Sequence, residues 1–157
     1  MRALGLISEL IGVCLLSLGG DFGVTKSKKR IKKTGEVFTP EWLVDEMLDR
    51  LPLDLFKDPS KTYLDPACGT GNILVRVINK KIENGLTPLQ ALQSTYGVDL
   101  MADNIWECRK RLFEVAYSYD RKPTKEWKTA LLTNIRCANT LEKSLEEIFN
   151  APPDELE

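Results

Sequence analysis

The stretch YLDPACGTGN, Tyr63 to Asn72, decides how the rest of the chain is read. Tyr63 and Leu64 have the apolar, β-favouring character of a strand end. An acid, a proline, two small residues and a Gly-Thr-Gly turn follow, and the run ILVRVINKKI beyond Asn72 spaces its apolar residues as a helix does. Where a strand turns straight into a helix, the helix offers its first unpaired N–H groups to whatever occupies the turn. Gly69 and Gly71 let the backbone pass close to such a ligand.

On the N-terminal side of the turn, TGEVFTPEWLVDEMLDRL predicts a helix. Thr39 is its expected N-cap, Pro40 its first residue and Glu41 the acid of its first turn. Leu43, Val44, Met47, Leu48 and Leu51 recur at helical spacing. LPLDLFKDPSK reads as a connecting loop, and Thr62 to Pro66 as the first strand. On the C-terminal side, a helix is expected over Asn72 to Asn84, with Ile73, Leu74, Val77, Ile78 and Ile82 inward and Gly85 as its stop.

TPLQALQST repeats the Thr-Pro helix start at Thr87, and YGVDL, Tyr96 to Leu100, reads as the second strand. ADNIWECRKRLFEVAYSY is a long amphipathic helix whose expected core residues are Ile105, Leu112, Phe113 and Ala116. DRKPTKEWK reads as a solvated loop leading toward another helix. NIRCANTL, Asn134 to Leu141, reads as a third short strand, with a helical EKSLEEIF after it. Strands alternating with helices imply parallel crossover units. The expected class is α/β, a doubly wound, Rossmann-like sheet truncated after its third strand. In strand order 3-2-1, strand one would lack a neighbour on one side. An open edge is a template for pairing, so a partner protein or a second copy is expected to dock near Tyr63 and Leu64.

The chain of 157 residues is 43% hydrophobic and 29% charged, the profile of one globular domain. A net charge of −1 gives no overall attraction to nucleic acid. Charge is concentrated locally, with six basic residues in the eight of KSKKRIKK, Lys26 to Lys33, and an acidic tail APPDELE. Four cysteines, at 14, 68, 108 and 137, form no C-x-x-C pair and fit reduced thiols. Histidine is missing altogether, which excludes Ser-His-Asp and Cys-His triads and H-E-x-x-H zinc chemistry.

ALGLISELIGVCLLSLGG, Ala3 to Gly20, is apolar but carries Glu9 and is short for a span of roughly 20 residues. Its basic flank follows the apolar run, whereas a signal peptide carries positive charge before it. The expectation is therefore no membrane anchor. A helix packed on the domain and an overextended reading frame, with Val24 as the alternative start, both remain open. The chain divides into an apolar stretch and basic leader over residues 1–33, a ligand-binding domain over 34–150, and an acidic tail over 151–157.

In a doubly wound sheet the ligand lies at the C-terminal strand ends. Asp65, Asp99 and Asn139 stand there. A dinucleotide fingerprint would need a third glycine or alanine at position 74, where this chain has Leu74. A pyrophosphate would also sit badly beside Asp65. An acid at that place suits a ligand with a positive amino group, and Asp99 stands where an acid accepts bonds from ribose hydroxyls. Amino group, ribose and adenine together describe S-adenosylmethionine.

GEVFTP, LDPACGTGNILV, YGVDLMADNIWECRKRL and IRCANTL together resemble the first four blocks of S-adenosylmethionine-dependent adenine-N6 DNA methyltransferases. The likeness is to modification subunits of restriction systems and their short phage-borne relatives, and it covers Thr34 to about Leu141. It implies that Phe38, Thr39 and Pro40 line the methionine end of the cofactor. Asp65, Ala67, Gly69 and Gly71 would wrap its amino acid part. Asp99 would hold the ribose, Leu100 and Met101 would lie beside the adenine, and Asn139 would face the adenine's amine. The family usually has an acid at that last position; an amide oxygen can still accept a bond there. A cytoplasmic setting, in a bacterial or phage-infected cell, follows from the same resemblance.

The chain departs from the family where an Asn/Asp-Pro-Pro-aromatic block should contact the target amine and stack on the flipped base. It offers FNAPPDELE, in which Asn150, Pro152 and Pro153 are degenerate candidates, Ala151 intervenes and Asp154 replaces the aromatic. The expected function is a methyltransferase-like protein, partial or split, with a non-catalytic S-adenosylmethionine-binding module as the alternative. DNA contact would fall to the basic leader.

Overall fold

The structure, a computed structural model, describes residues 39–153. Expectations that concern Phe38, the leader, the apolar N-terminal stretch, Val24, Cys14 and residues 154–157 lie outside the described residues. The elements run in order α1 (Glu41–Asp49), α2 (Asp54–Lys57), β1 (Tyr63–Asp65), α3 (Asn72–Glu83), α4 (Pro88–Gln93), β2 (Thr95–Asp99), α5 (Ala102–Tyr119), α6 (Lys125–Asn134), β3 (Ile135–Cys137) and α7 (Leu145–Asn150).

The three strands form one parallel sheet in the order β1-β2-β3, so β1 is an edge among the described residues. Register pairs Tyr63 with Thr95, Asp65 with Gly97, and Gly97 with Ile135. Because strand side chains alternate, Tyr63, Asp65, Gly97, Asp99 and Ile135 share one face, while Leu64, Tyr96, Val98 and Arg136 share the other. The first face carries the main core. Leu74 and Ile78 of α3, Ala91 and Leu92 of α4, Ile105, Leu112, Phe113 and Ala116 of α5, and Trp127 and Leu131 of α6 form one buried cluster with Ile135. Burying each of the large side chains stabilises the fold by roughly 1.5–3 kcal/mol. On the second face lies α7, whose Phe149 ring meets Tyr96 edge-on with centroids 5.2 Å apart.

Most elements fall where the sequence places them, and α5 does so residue for residue. The Thr-Pro start at Thr87 is completed by a reciprocal capping box with Gln90. Gly85 ends α3 at φ +105°. Four expectations need correction. Thr39 does not cap α1: Pro40 holds the cap position with no side-chain bond, and its carbonyl takes the N–H groups of Leu43 and Val44. The loop read over LPLDLFKDPSK contains α2, because Phe56 is buried against Val44, Leu48 and Val77. The solvated loop read over DRKPTKEWK runs only to Thr124; the helix expected to begin there, α6, starts at Lys125 and buries Trp127, Ala130, Leu131 and Asn134 as a stripe. The third strand is correspondingly shorter than Asn134 to Leu141. Asn134 ends α6, and Asn139 accepts the N–H of Leu141, a local bond that diverts the backbone from the ladder.

Two buried contacts set the ends of the sheet. Lys81, 1% exposed, directs its ammonium to the carbonyls of Lys61 (3.1 Å) and Ser94 (2.8 Å) and to Ser94 Oγ (2.7 Å). It thereby ties the last turn of α3 to the chain just ahead of β1 and β2. At the opposite end, Gly71 lies against α5: a Cβ there would come within 2.7 Å of Cys108 Sγ, and its φ is +84°.

Burial of Lys81 without a carboxylate lowers its pKa to about 8. A protonated Lys81 therefore costs the folded state more than the unfolded chain, which keeps the proton to near 10.5. Stability should rise with pH between those values, by up to roughly 3 kcal/mol. Urea melts of the parent and Lys81→Met at pH 7.5 to 10 (roughly the interval concerned) isolate this contribution as a difference. Parallel pH profiles would refute it. Gly71→Ala should lose roughly 2–4 kcal/mol, from the left-handed backbone and the overlap with Cys108. Adding Cys108→Ala should recover only the overlap part, and urea melts of the single and double variants read both.

Candidate cofactor site at the strand ends

The turn between β1 and α3 is tied to β2 at two successive residues. Cys68 donates its N–H to the Val98 carbonyl at 2.8 Å, and Gly69 donates to Asp99 Oδ2 at 3.0 Å. Asp65 Oδ1 accepts the N–H of Ala67 at 3.1 Å. Gly69 and Gly71 take positive φ values of +53° and +84°, the left-handed region that a side chain disfavours. The turn ends at α3, whose first intrahelical bond runs from Val75 to the Gly71 carbonyl. The N–H groups of Asn72, Ile73 and Leu74 therefore open the helix without partners inside it.

Asp99 is the hub of the site. Besides Gly69, it takes the N–H of Met101 at 2.8 Å and the side-chain amide of Asn104 at 3.0 Å, both on Oδ1. Its backbone carbonyl accepts the N–H of Ala138 at 3.0 Å, which draws the turn after β3 alongside. Thr140 Oγ completes that turn with a bond to the Pro66 carbonyl at 3.4 Å. Among the described residues Oδ2 takes one bond, from Gly69, and a carboxylate oxygen has capacity for another. Asp65 is half-buried, and its carboxyl is raised above the ordinary range, first by burial and further by the charge of Asp99, against the lowering bond from Ala67. Two acids on neighbouring strand ends thus lie close enough for one to act on the other, and a cation would relieve their repulsion.

The structure brings Asp65, Ala67, Gly69, Asp99, Met101 and the Asn139 turn to one place. Thr39 and Pro40 join this group through Asn72, whose amide donates to the Thr39 carbonyl at 3.4 Å. Leu100 stands at the rim, 61% exposed. Asn139 engages its side chain within its own turn. At Gly71 the structure shows a packing reason for glycine, since its missing Cβ makes room for Cys108. Asn150, Pro152 and Pro153 are not part of the cluster. Buried Arg136, on the opposite face of the sheet, donates to the carbonyls of Ala151 (3.2 Å) and Pro152 (2.6 Å) and holds that segment there.

Sequence reasoning passed over four contributors. Cys68 and Cys108 lie under the turn, both buried, and the Cys68 thiol is pushed up by its bond with Cys108 and by burial, which makes it packing rather than a nucleophile. Asn104 braces Asp99, and Arg111 reaches the turn from α5 at Thr70 and Asn72. Only partner distance in space marks these residues, and a linear pattern carries no sign of it. A groove of about 450 Å³ between α1 and α3 is lined by Asp45, Asp49, Arg76, Asn79, Lys80 and Glu83. Its Arg76–Asp45 and Lys80–Asp49 ion pairs satisfy one another and bind the two helices together.

No helix among the described residues is long and apolar enough to cross a membrane, and no group of acidic or cysteine side chains there could hold a metal ion. No curated protein and no solved structure matches the chain. A family model described as N-6 DNA Methylase matches residues 24–113, a span that contains α1, the turn with its two glycines, β2 and most of α5. That span is more than half of the 157 residues, and the chain belongs to the N-6 DNA methylase family.

Proposed function

We propose that this chain binds S-adenosylmethionine at the ends of β1 and β2, as the cofactor-binding part of an adenine-N6 DNA methyltransferase that a second polypeptide completes. The observation that carries the reading is the pair Asp65 and Asp99 on adjacent strand ends, with a turn of two left-handed glycines between them. Bound there, the cofactor supplies an electrophilic methyl group on a sulfonium. Asp65 balances its amino group, and the free position on Asp99 Oδ2 accepts from the ribose. Leu100 and Met101 cover the adenine, with Asn139 toward its amine, and Phe38, Thr39 and Pro40 close the methionine end.

The chain alone is proposed not to methylate DNA. Asp154 stands where an aromatic would stack on the target base, and Ala151 separates Asn150 from Pro152. Arg136 already occupies the carbonyls of Ala151 and Pro152. The same segment favours a second reading, a module that binds the cofactor without catalysis. A completing polypeptide would pair with the outer edge of β1. Tyr63 donates its N–H to Ser94, so the N–H and carbonyl of Leu64 face away from β2. DNA would meet the basic leader, Lys26 to Lys33.

Calorimetric titration with S-adenosylmethionine tests the site. Asp99→Ala should cost roughly 1.5–3 kcal/mol of affinity through lost charge-assisted bonds. A protonated Asp65 cannot balance an amino group, so affinity should fall as pH drops through its raised pKa. Asp65→Asn should bind weakly and flatten that dependence. Parent-like affinity in both variants would place the site elsewhere. For the second claim, the purified chain is incubated with duplex DNA and methyl-labelled cofactor. Label on adenine that vanishes with Asp65→Asn would refute it.

A further inference from the structure

Arg111 belongs to α5, outside the acids and glycines of the site, yet it reaches into the turn. One of its terminal nitrogens donates to the Thr70 carbonyl at 2.9 Å, to Thr70 Oγ at 3.3 Å and to Asn72 Oδ1 at 2.6 Å. The peptide between Thr70 and Gly71 is thereby held at both ends, because the Gly71 N–H donates to the Cys68 carbonyl at 2.8 Å. That peptide joins Thr70 to Gly71, whose positive φ marks a residue well able to let a peptide plane flip. Asn72 passes the restraint onward. With its oxygen held by Arg111, its amide points at the Thr39 carbonyl, 3.4 Å away. Arg111, Asn72 and Thr39 thus connect α5, the turn and the segment ahead of α1, three parts that lie 33 and 39 residues apart in sequence.

We infer that Arg111 is a positioning residue of this site. It sets the peptide plane of the turn directly and the Thr39-Pro40 segment through Asn72, so that both walls are formed before a ligand arrives. The affinity part of this inference rests on the cofactor reading above; the positional part stands on the geometry alone. A guanidinium suits the task because it is always charged and offers several donors in a fixed fork. A lysine could reach these acceptors only as a point charge.

Hydrogen exchange on the ligand-free protein, read by mass spectrometry, tests the positional part. Arg111→Met should speed exchange both in residues 70–74 and in residues 41–44, with Arg111→Lys intermediate. Asn72→Asp keeps an acceptor for Arg111 but loses the donor to Thr39, so it should speed exchange in residues 41–44 only. A purely structural arginine would give no such split. Titration with S-adenosylhomocysteine tests the affinity part. Arg111→Met should bind about tenfold more weakly or worse, with partial rescue by Arg111→Lys. Unchanged exchange in both segments overturns the inference, as does unchanged affinity in Arg111→Met when the parent binds. Should the parent itself fail to bind, the cofactor reading falls, and the exchange pattern still decides whether Arg111 positions the turn. Were Arg111→Met too unstable to purify, an Arg111→Lys protein indistinguishable from the parent in both measurements would equally overturn it.

Discussion

The bond from the Gly69 N–H to the Asp99 carboxylate is the constraint on which the site depends. It joins the turn after β1 to the end of β2, two places 30 residues apart in sequence. A charge-assisted bond of this kind, partly withdrawn from water, is stronger than an ordinary amide contact. Asp99 cannot hold this position by itself. The Met101 N–H and the Asn104 amide fix its other oxygen, and the Ala138 N–H fixes its backbone, so all three strand ends converge on one residue. The arrangement of turns at the sheet's C-terminal end is in this sense a consequence of how one carboxylate is satisfied.

The two ends of the sheet carry opposite charge. At the C-terminal end stand Asp65 and Asp99, where burial and the charge of Asp99 raise the cost of keeping Asp65 ionised; at the N-terminal end stands buried Lys81, fully hydrogen-bonded but without an acid. The separation is compatible with the cationic ligand proposed for these strand ends, because an acid partnered by Lys81 would no longer be available to one. Packing follows the same division. Helices α3 to α6 crowd one face of the sheet and bury its core, while α7 and Arg136 occupy the other. The strands are only three to five residues long, so the helical layer, rather than the ladder, supplies most of the buried apolar area.

Much of the fold was legible because its signals are local. The apolar spacing of Ile105, Leu112, Phe113 and Ala116 needs no tertiary partner to be read, and neither does the Thr-Pro start at Thr87 or the stop at Gly85. The errors arose where two local signals compete. Asn139 could extend a strand or turn upon itself, and its side-chain bond to Leu141 decided for the turn. Thr39 could cap a helix, but its place beside Asn72 left Pro40 in the cap position. Phe56 stands in a stretch with loop composition, and only its enclosure by α1 and α3 makes it a core residue.

Acids and glycines after a strand are a one-dimensional pattern, since the chemistry of a strand-to-helix turn is written in consecutive residues. The sequence by itself therefore determined the alternation of strands and helices, the turn at Asp65 to Gly71, the acid at Asp99 and the resemblance these carry. Tertiary structure alone decided which residues make that turn rigid. Cys108 fills the space that Gly71 leaves, Asn104 braces Asp99, and Arg111 holds Thr70 and Asn72. All three come from α5, and nothing in the periodicity of a helix says which of its inward residues will meet a loop some forty positions earlier. That meeting is set by the docking of α5 on α3 and β2, a packing event of many weak contacts with no signature in any short stretch of chain.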